Sequence, residues 1–392
     1  MSIRGKAFIA GAYEHPQRRI TDKSMMQVHS EIILGALADA GLGIGDVDGF
    51  FCGARAPGAN AGRVVTLTMA EYLGIRPSYM DSTEMGGSSY ISHIGHAAAA
   101  IAAGKCKVAV ISLAGLTTGN KSALERTVSD APESAFEDVC GAPPVAMYAL
   151  AARRHMHEFG TTSAQLAEIR VAASHHAQFN ERAVFRTPVT VEEVLASPFV
   201  ADPLRRLDCC VVTDGGGALV LVAPEIARDL GRRSVKVLGH GESPKLTNNG
   251  AMDLTYTGAV WSGPAAYAEA GITPADVDYA SIYDSFTITV LETLEDLGFC
   301  AKGQGGRFVM EGNLISGIGK LPINTDGGGL CSNHPGNRGG MTKVIEAVRQ
   351  LRGEAHPAVQ VKDCSIALAH GTGGSLATRH GSATVILGTE DA

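Results

Sequence analysis

Short apolar runs alternate along the chain with longer segments of helical periodicity, and glycine punctuates both. Lys6–Glu14 (KAFIAGAYE) and Lys236–Ser243 (KVLGHGES) each read as an apolar strand that meets glycine at its end. The Ala-rich helix His96–Ala103 stops at Gly104 before the strand Val108–Ser112, and the helix Glu346–Arg352 stops at Gly353 before Ser365–Leu368. Gly217–Val222 and Ser382–Leu387 are two more strands, each after a glycine-containing turn. Strands this continuously apolar belong to sheets covered on both faces by helices, so the pattern predicts α/β layering.

The pattern also repeats. An offset of 230 residues carries Gly11 onto Gly241, Ala40-Gly41 onto Ala270-Gly271, and Asp46-Val47-Asp48 onto Asp276-Val277-Asp278. Towards the end the offset drops to 165, which matches Gly217–Val222 with Ser382–Leu387 and leaves extra residues in the first half. The chain therefore reads as a duplication, with halves 1–230 and 231–392 and a lid or loop insertion at about 116–205. Within the insertion, Val145–Phe159 has Tyr148, Ala152 and His155 at helical spacing, and Thr161-Thr162-Ser163 supplies a cap for a following helix. Two such halves packed face to face give α-β-α-β-α.

Composition narrows the function classes. The 392 residues carry 33 basic and 40 acidic side chains, a net −7 that opposes simple attraction to nucleic acid or an anionic membrane. No apolar run approaches the roughly 20 residues of a membrane span, and no secretory leader opens the chain, so a cytoplasmic protein is expected. Eight cysteines (52, 106, 140, 209, 210, 300, 331 and 364) lie in apolar stretches without metal-ligand spacing. They read as reduced core thiols. His93/His96 and His175/His176 have no convergent acidic or thiolate partners, so no metal is expected. Neither a dinucleotide-binding glycine fingerprint nor a P-loop is present.

The chemistry-bearing segments lie towards the C-terminus. Asn324-Thr325-Asp326-Gly327-Gly328-Gly329 leads to Asn333-His334-Pro335-Gly336, and Ala369-His370-Gly371-Thr372-Gly373-Gly374 follows. Tyr283-Asp284-Ser285-Phe286 and Asp214-Gly215-Gly216-Gly217-Ala218 complete the set. Together they resemble the N-x-x-G-G…G-H-P-x-G, C-x-G-G-G, N-E-A-F or H-D-C-F, and D-G-A-A-A motifs of the thiolase superfamily, in particular its sterol-carrier or lipid-transfer-type branch. The resemblance spans almost the whole chain. It implies a duplicated five-layered fold, a homodimer, and carbon–carbon bond chemistry beside a coenzyme A thioester, with no covalently bound cofactor. It also implies a small OB-fold, zinc-ribbon partner that helps hold the coenzyme A part.

The departures from the family are as informative. Counting back 17 residues from Gly104, where the family places its nucleophilic cysteine, reaches Gly87, and His370 stands where the second cysteine is expected. A glycine cannot be acylated, so the usual covalent route is closed. Helix-terminal N–H groups around Gly87 and Ser88, and those of the turn containing Gly373, remain as expected donors to a thioester enolate. Such a site suits retro-aldol cleavage of a β-hydroxyacyl-CoA, with Tyr283, His334 and His370 as the candidate proton-moving groups. Tyr283 resembles the tyrosine of aldolase members of the branch, whose second tyrosine, two residues before the motif histidine, is here Ser332. Arg153, Arg154, Arg182 and Arg186 of the insertion are the candidates for the coenzyme A phosphates. Two rival readings stand beside this one: a thiolase that uses Cys331 or Ser88 as its nucleophile, and a non-catalytic acyl-CoA or lipid-binding subunit.

Overall fold

The computed structural model describes residues 2–53, 65–118, 143–248, 251–335 and 339–392. Among these, the strands are β1 (Phe8–Glu14), β2 (Gly49–Cys52), β3 (Tyr79–Asp81), β4 (Val108–Gly115), β5 (Phe199–Ala201), β6 (Leu204–Arg205), β7 (Gly215–Val222), β8 (Val235–Lys245), β9 (Tyr279–Ile282), β10 (Ile366–Gly374) and β11 (His380–Gly388). β5 and β6 form a small ribbon, and the other nine run in the order β3-β2-β4-β7-β1-β8-β11-β10-β9. The nine strands are two sheets joined at one narrow seam, where β1 meets β8 through the register pairs Phe8–Lys236 and Ile9–Val235, and Val237 N–H donates to the Ala7 carbonyl at 3.0 Å just before them.

The two sheets repeat each other's strand senses. β2 runs parallel to β4, β4 antiparallel to β7, and β7 antiparallel to β1. β9 runs parallel to β10, β10 antiparallel to β11, and β11 antiparallel to β8. Even the edge strand β3 has a counterpart, because Ile323 bridges Ala280 in parallel where β3 pairs with β2. The physical jobs of the repeated residues explain why the 230-residue offset is visible in the sequence. Helix Met25–Ala40 closes at Gly41 and helix Ala259–Ala270 at Gly271, with φ of 71° and 67°, a left-handed turn that favours glycine. Asp48 accepts the backbone N–H groups of Lys107 and Val108 at 2.8–3.0 Å, and Asp278 accepts those of Ser365 and Ile366 at 2.9 Å. Each carboxylate thus pins the start of one central strand to its parallel neighbour.

Three apolar clusters fill the spaces between layers. One lies between the first sheet and its outer helices, with Ile32, Ala36, Val110 and Val220 among its members. The middle one packs the helices Ser89–Ala102 and Gly339–Arg352 between the inner faces of both sheets, joining Leu219 and Ile111 to Ala369 and Val385. The third covers the outer face of the second sheet and takes in the inserted helices Pro144–Phe159 and Ser163–Ala177. Thr162 caps the latter by accepting Gln165 N–H at 3.3 Å, while Gln165 accepts Thr162 N–H at 3.0 Å. This is the α-β-α-β-α arrangement. From helix Pro144–Phe159, Tyr148 donates to the Gly374 carbonyl of β10 at 3.1 Å and His155 meets Glu295 at 3.0 Å. Residues 119–142 of the insertion, and Cys140 with them, lie outside the described residues. No described helix is long and apolar enough to cross a membrane.

The paired aspartates should behave alike. Asp48→Ala and Asp278→Ala are each expected to cost about 1–2 kcal/mol by stranding strand-initiating N–H groups. Urea unfolding of the two variants checks this, and a neutral result for either one contradicts the equivalence.

Candidate active site

Tyr283 follows β9 directly, and His334 lies in the turn after the short helix Gly328–Cys331. The Tyr283 hydroxyl is 2.8 Å from His334 Nε2, with the two rings near-perpendicular at 75°. The pair sits against the N-terminus of helix Ser89–Ala102, where the tight turn Gly86–Ser88 begins it. A methyl group built on Gly87 would lie 2.5 Å from Tyr283 Cε2 and 2.8 Å from its Cζ. The phenol ring therefore fills the room that a side chain at position 87 would need.

Other glycines close the same site. A methyl group on Gly339 would lie 3.0 Å from the Tyr283 ring and 3.1 Å from His334 Cδ2, and one on Gly340 would lie 2.0 Å from the Gly87 carbonyl oxygen. Gly340 and Gly87 stand at the two central helices, so both helix N-termini converge on the tyrosine.

Hydrogen bonds fix the backbone around the pair. Asn324 brackets Ile282, accepting its N–H and donating to its carbonyl at 2.8 Å each. Tyr283 N–H donates to the His370 carbonyl at 3.0 Å. Asp284 accepts the N–H groups of Gly329 (2.8 Å) and Leu330 (3.1 Å) and pairs with Lys343 Nζ at 2.7 Å, with both side chains fully enclosed. The Lys343 ammonium stays charged: burial pulls its pKa down, but Asp284 and Asp326 outweigh this and raise it. His334 is held neutral. Burial lowers its pKa to about 4, Lys343 adds to the effect, and Asp284 opposes it. A neutral imidazole 2.8 Å from a phenol can take the phenol's proton as the phenol takes another, so the couple can accept a proton and later return it.

The remaining sequence candidates fall in different places. The His370 imidazole meets Thr384 Oγ1 at 2.8 Å and Ser382 Oγ at 3.5 Å. Thr384 in turn meets Ser262 of the outer helix Ala259–Ala270 at 2.9 Å. The ring thus faces the outer layer, away from Tyr283, and His370 reaches the site only through its carbonyl. Burial lowers its pKa to about 3. Ser88 Oγ donates to the Met85 carbonyl at 2.7 Å. Gly373 packs on that segment so closely that a methyl group there would lie 1.8 Å from the Met85 carbonyl oxygen. Cys331 is fully buried, and burial pushes its thiol up to about 12, the opposite of what a nucleophile needs.

The four arginines do not converge. Arg153 pairs with Asp202 and Arg154 with Glu158 at the surface. Arg182 lines a polar cavity with Glu14, Asp326 and Arg349. Arg186 donates to the Gln178 carbonyl at 3.1 Å, while its neighbour Phe185 lines an apolar cavity of about 630 Å³ together with Val145, Val200, Cys210, Val212 and Phe286. Cys210 N–H donates to the Ser285 carbonyl at 2.9 Å, which sets that cavity beside the Tyr283-Asp284 segment. Gly336 lies outside the described residues. The sequence reading assigned no role to Lys343, Thr213 or Asn333. Lys343 had one signal, a lysine among the apolar positions of a helix that turns out to be buried almost all round. Among the described residues, no group of three or more His, Cys, Asp or Glu side chains is placed to hold a metal ion.

Known proteins resemble this chain over most of its length. A family model described as thiolase C-terminal domain-like matches residues 241–389. The chain is 34% identical over 373 residues to the 17-hydroxy-3-oxo-4-pregnene-20-carboxyl-CoA lyase of Mycobacterium tuberculosis, covering 90% of this chain and 92% of that protein. It is 32% identical over 359 residues to the acetyl-CoA acetyltransferase of Methanothermobacter thermautotrophicus, with 90% and 92% covered. Among solved structures, an Ltp2-ChsH2(DUF35) aldolase superposes with a TM-score of 0.88 at 31% identity, covering 99% of both chains.

Two outcomes follow from the packing and burial. Gly87→Cys restores a thiol at that position but drives it into the Tyr283 ring. We expect a loss of about 1–3 kcal/mol, relieved when Tyr283→Ala is added, and no acyl-enzyme on the new thiol. Chemical denaturation and intact mass after acyl-CoA exposure read both. For His370, the folded pKa lies below its ordinary 6.5, so the unfolded chain binds the extra proton and stability falls as pH drops through that window. His370→Gln should therefore flatten the pH dependence of unfolding by up to about 1.4 kcal/mol per pH unit below about pH 6. Identical slopes in the variant and the parent protein would contradict the assignment.

Proposed function

Because the chain belongs to the thiolase superfamily, in its sterol-carrier-protein-type thiolase-like branch, and puts a phenol–imidazole pair in the room of the absent nucleophile, we propose that it works by aldol chemistry. The reaction is the making or breaking of the carbon–carbon bond next to a coenzyme A thioester. In the cleavage direction the substrate is a β-hydroxyacyl-CoA. Its hydroxyl proton passes to Tyr283 as the Tyr283 proton moves to His334 Nε2. The Cα–Cβ bond breaks to give a carbonyl product and a thioester enolate, and the proton held by the pair returns to the α-carbon. One proton leaves oxygen and one arrives at carbon, so the pair ends as it began.

The enolate is the costly species. Two helix N-termini meet at Gly87 and Gly340, and their dipoles favour negative charge there. A well-aimed donor in a site closed to water is worth roughly 3–4 kcal/mol to the transition state. The apolar cavity beside Cys210 and Phe286 suits the pantetheine arm and acyl chain, with the exposed Arg206 in its lining suited to the phosphates. A homodimer fits the edge of β3, which is unpaired among the described residues and lies on the same half as the exposed Leu67, Tyr72 and Met80. The aldolase whose structure this chain resembles is named together with a DUF35 component, and we include a small OB-fold, zinc-ribbon partner of that kind in the proposal.

The observation that carries the reading is the 2.8 Å contact between Tyr283 and His334 in the space above Gly87. Its test is turnover of β-hydroxyacyl-CoA and β-ketoacyl-CoA esters, with and without an OB-fold partner, followed by chromatography of the products. Cleavage of the hydroxy ester should fall by about 10²–10⁴ in Tyr283→Phe and in His334→Ala. Undiminished cleavage by Tyr283→Phe would remove the tyrosine from the mechanism. Ester binding without turnover, partner included, would replace a lyase with a binding subunit.

A further inference from the structure

The His334 side chain aims correctly only if its own backbone is held, and the groups holding it lead away from the site to the end of β1. His334 N–H donates to Thr213 Oγ1 at 2.9 Å. Thr213 Oγ1 donates to Asn333 Oδ1 at 2.7 Å. Asn333 Nδ2 donates to Glu14 Oε1 at 2.9 Å. Glu14 is itself clamped by Arg18 at 2.8 Å and by Arg349 at 3.0 Å. Glu14, Thr213 and Asn333 are all buried.

The chain has a direction, and the carboxylate sets it. An ionised carboxylate only accepts, so Asn333 must turn its NH₂ towards Glu14 and its carbonyl towards Thr213. Thr213 must then spend its single proton on Asn333, which leaves its lone pairs facing His334 N–H. A neutral amide at position 14 can accept or donate, and it would let Asn333 flip and Thr213 rotate. Burial alone would raise the Glu14 pKa, but Arg18 and Arg349 outweigh it and hold the group at about 2, so the direction is kept at any working pH.

We infer that Glu14 is a positioning residue for the reaction, fixing the aim of His334 at the Tyr283 hydroxyl through Asn333 and Thr213. It touches no reacting atom. For its kinetic consequence, this inference rests on the lyase reading above.

The test uses the full chain with Glu14→Gln, Thr213→Val, Thr213→Ser and the Glu14→Gln/Thr213→Val double variant. Two readouts are taken: kcat and KM for β-hydroxyacyl-CoA cleavage, and the imidazole ¹⁵N shifts of His334 in histidine-labelled protein. Glu14→Gln and Thr213→Val should each lower kcat by about 10–100-fold while KM stays within about twofold. Thr213→Ser should recover most of the Thr213→Val loss. The double variant should fall no further than either single one, because both cut the same chain. The His334 ¹⁵N shifts should move in Glu14→Gln and Thr213→Val. If Glu14→Gln fails to fold, Thr213→Val breaks the chain with an isosteric, uncharged change. Multiplicative losses in the double variant, or unchanged His334 shifts in folded single variants, overturn the inference. A parent protein without turnover refutes the lyase reading instead, and the ¹⁵N shifts still decide the role of Glu14.

Discussion

A single volume, above the first turn of helix Ser89–Ala102, governs the rest of the site. One side chain fits there. Filling it from β9 with Tyr283 demands glycine at 87, since a methyl group would stand 2.5 Å from the ring. Losing a nucleophile and gaining a phenol beside His334 are thus one steric event, not two changes to be explained apart. The same crowding reaches Gly339, whose methyl would press on both rings, and Gly329, whose methyl would lie 3.1 Å from Asp284 and 3.2 Å from His334. These glycines are selected by contact distance, and none of the three needs a left-handed backbone.

Electrostatics complete what packing begins. Burying Asp284 with Lys343 carries a large desolvation penalty, and an apolar pair of the same shape would be no less stable. The ion pair earns its place by what it orients. The carboxylate holds two N–H groups of the turn that leads to His334, and the ammonium, fixed nearby, discourages a second positive charge on the imidazole. The result is a proton acceptor that is empty at neutral pH and lies within hydrogen-bond reach of the phenol.

Much of the fold was legible because repeated residues do repeated work. Gly41 and Gly271 close helices, and Asp48 and Asp278 tie strands, so each pair is recognisable at the same spacing. The Tyr283–His334 meeting was legible from motifs that lie 51 residues apart. The direction of His370 was not. In Ala367-Leu368-Ala369-His370 both faces of β10 are apolar and buried, so the alternation that normally marks inside from outside is silent. Only the structure shows Leu368 in the outer cluster and Ala369 in the central one, which puts His370 outside. Arginine placement was illegible for a related reason: Arg153 and Arg154 sit on a helix whose acidic neighbours, Asp202 and Glu158, satisfy them locally. The role of Glu14 gave no sign, because beyond its local pairing with Arg18 the partners that matter, Asn333 and Arg349, lie 319 and 335 residues away.

Duplication also brings two helix N-termini to this centre, and on the lyase reading proposed above their dipoles favour negative charge there. Each half contributes one helix to the middle layer, and the repeat brings the two N-termini together, with Gly340 almost touching the Gly87 carbonyl. Each terminus carries roughly half a positive charge, so in the resting protein two like partial charges face one another across the site. Asp284 cannot relieve them, because Lys343 already neutralises it. The arrangement is least comfortable when empty and most favourable when an anion forms between the ends, which is the differential binding that catalysis requires. An enolate generated beside Tyr283 is such an anion, and it needs no covalent attachment to the protein in order to be held.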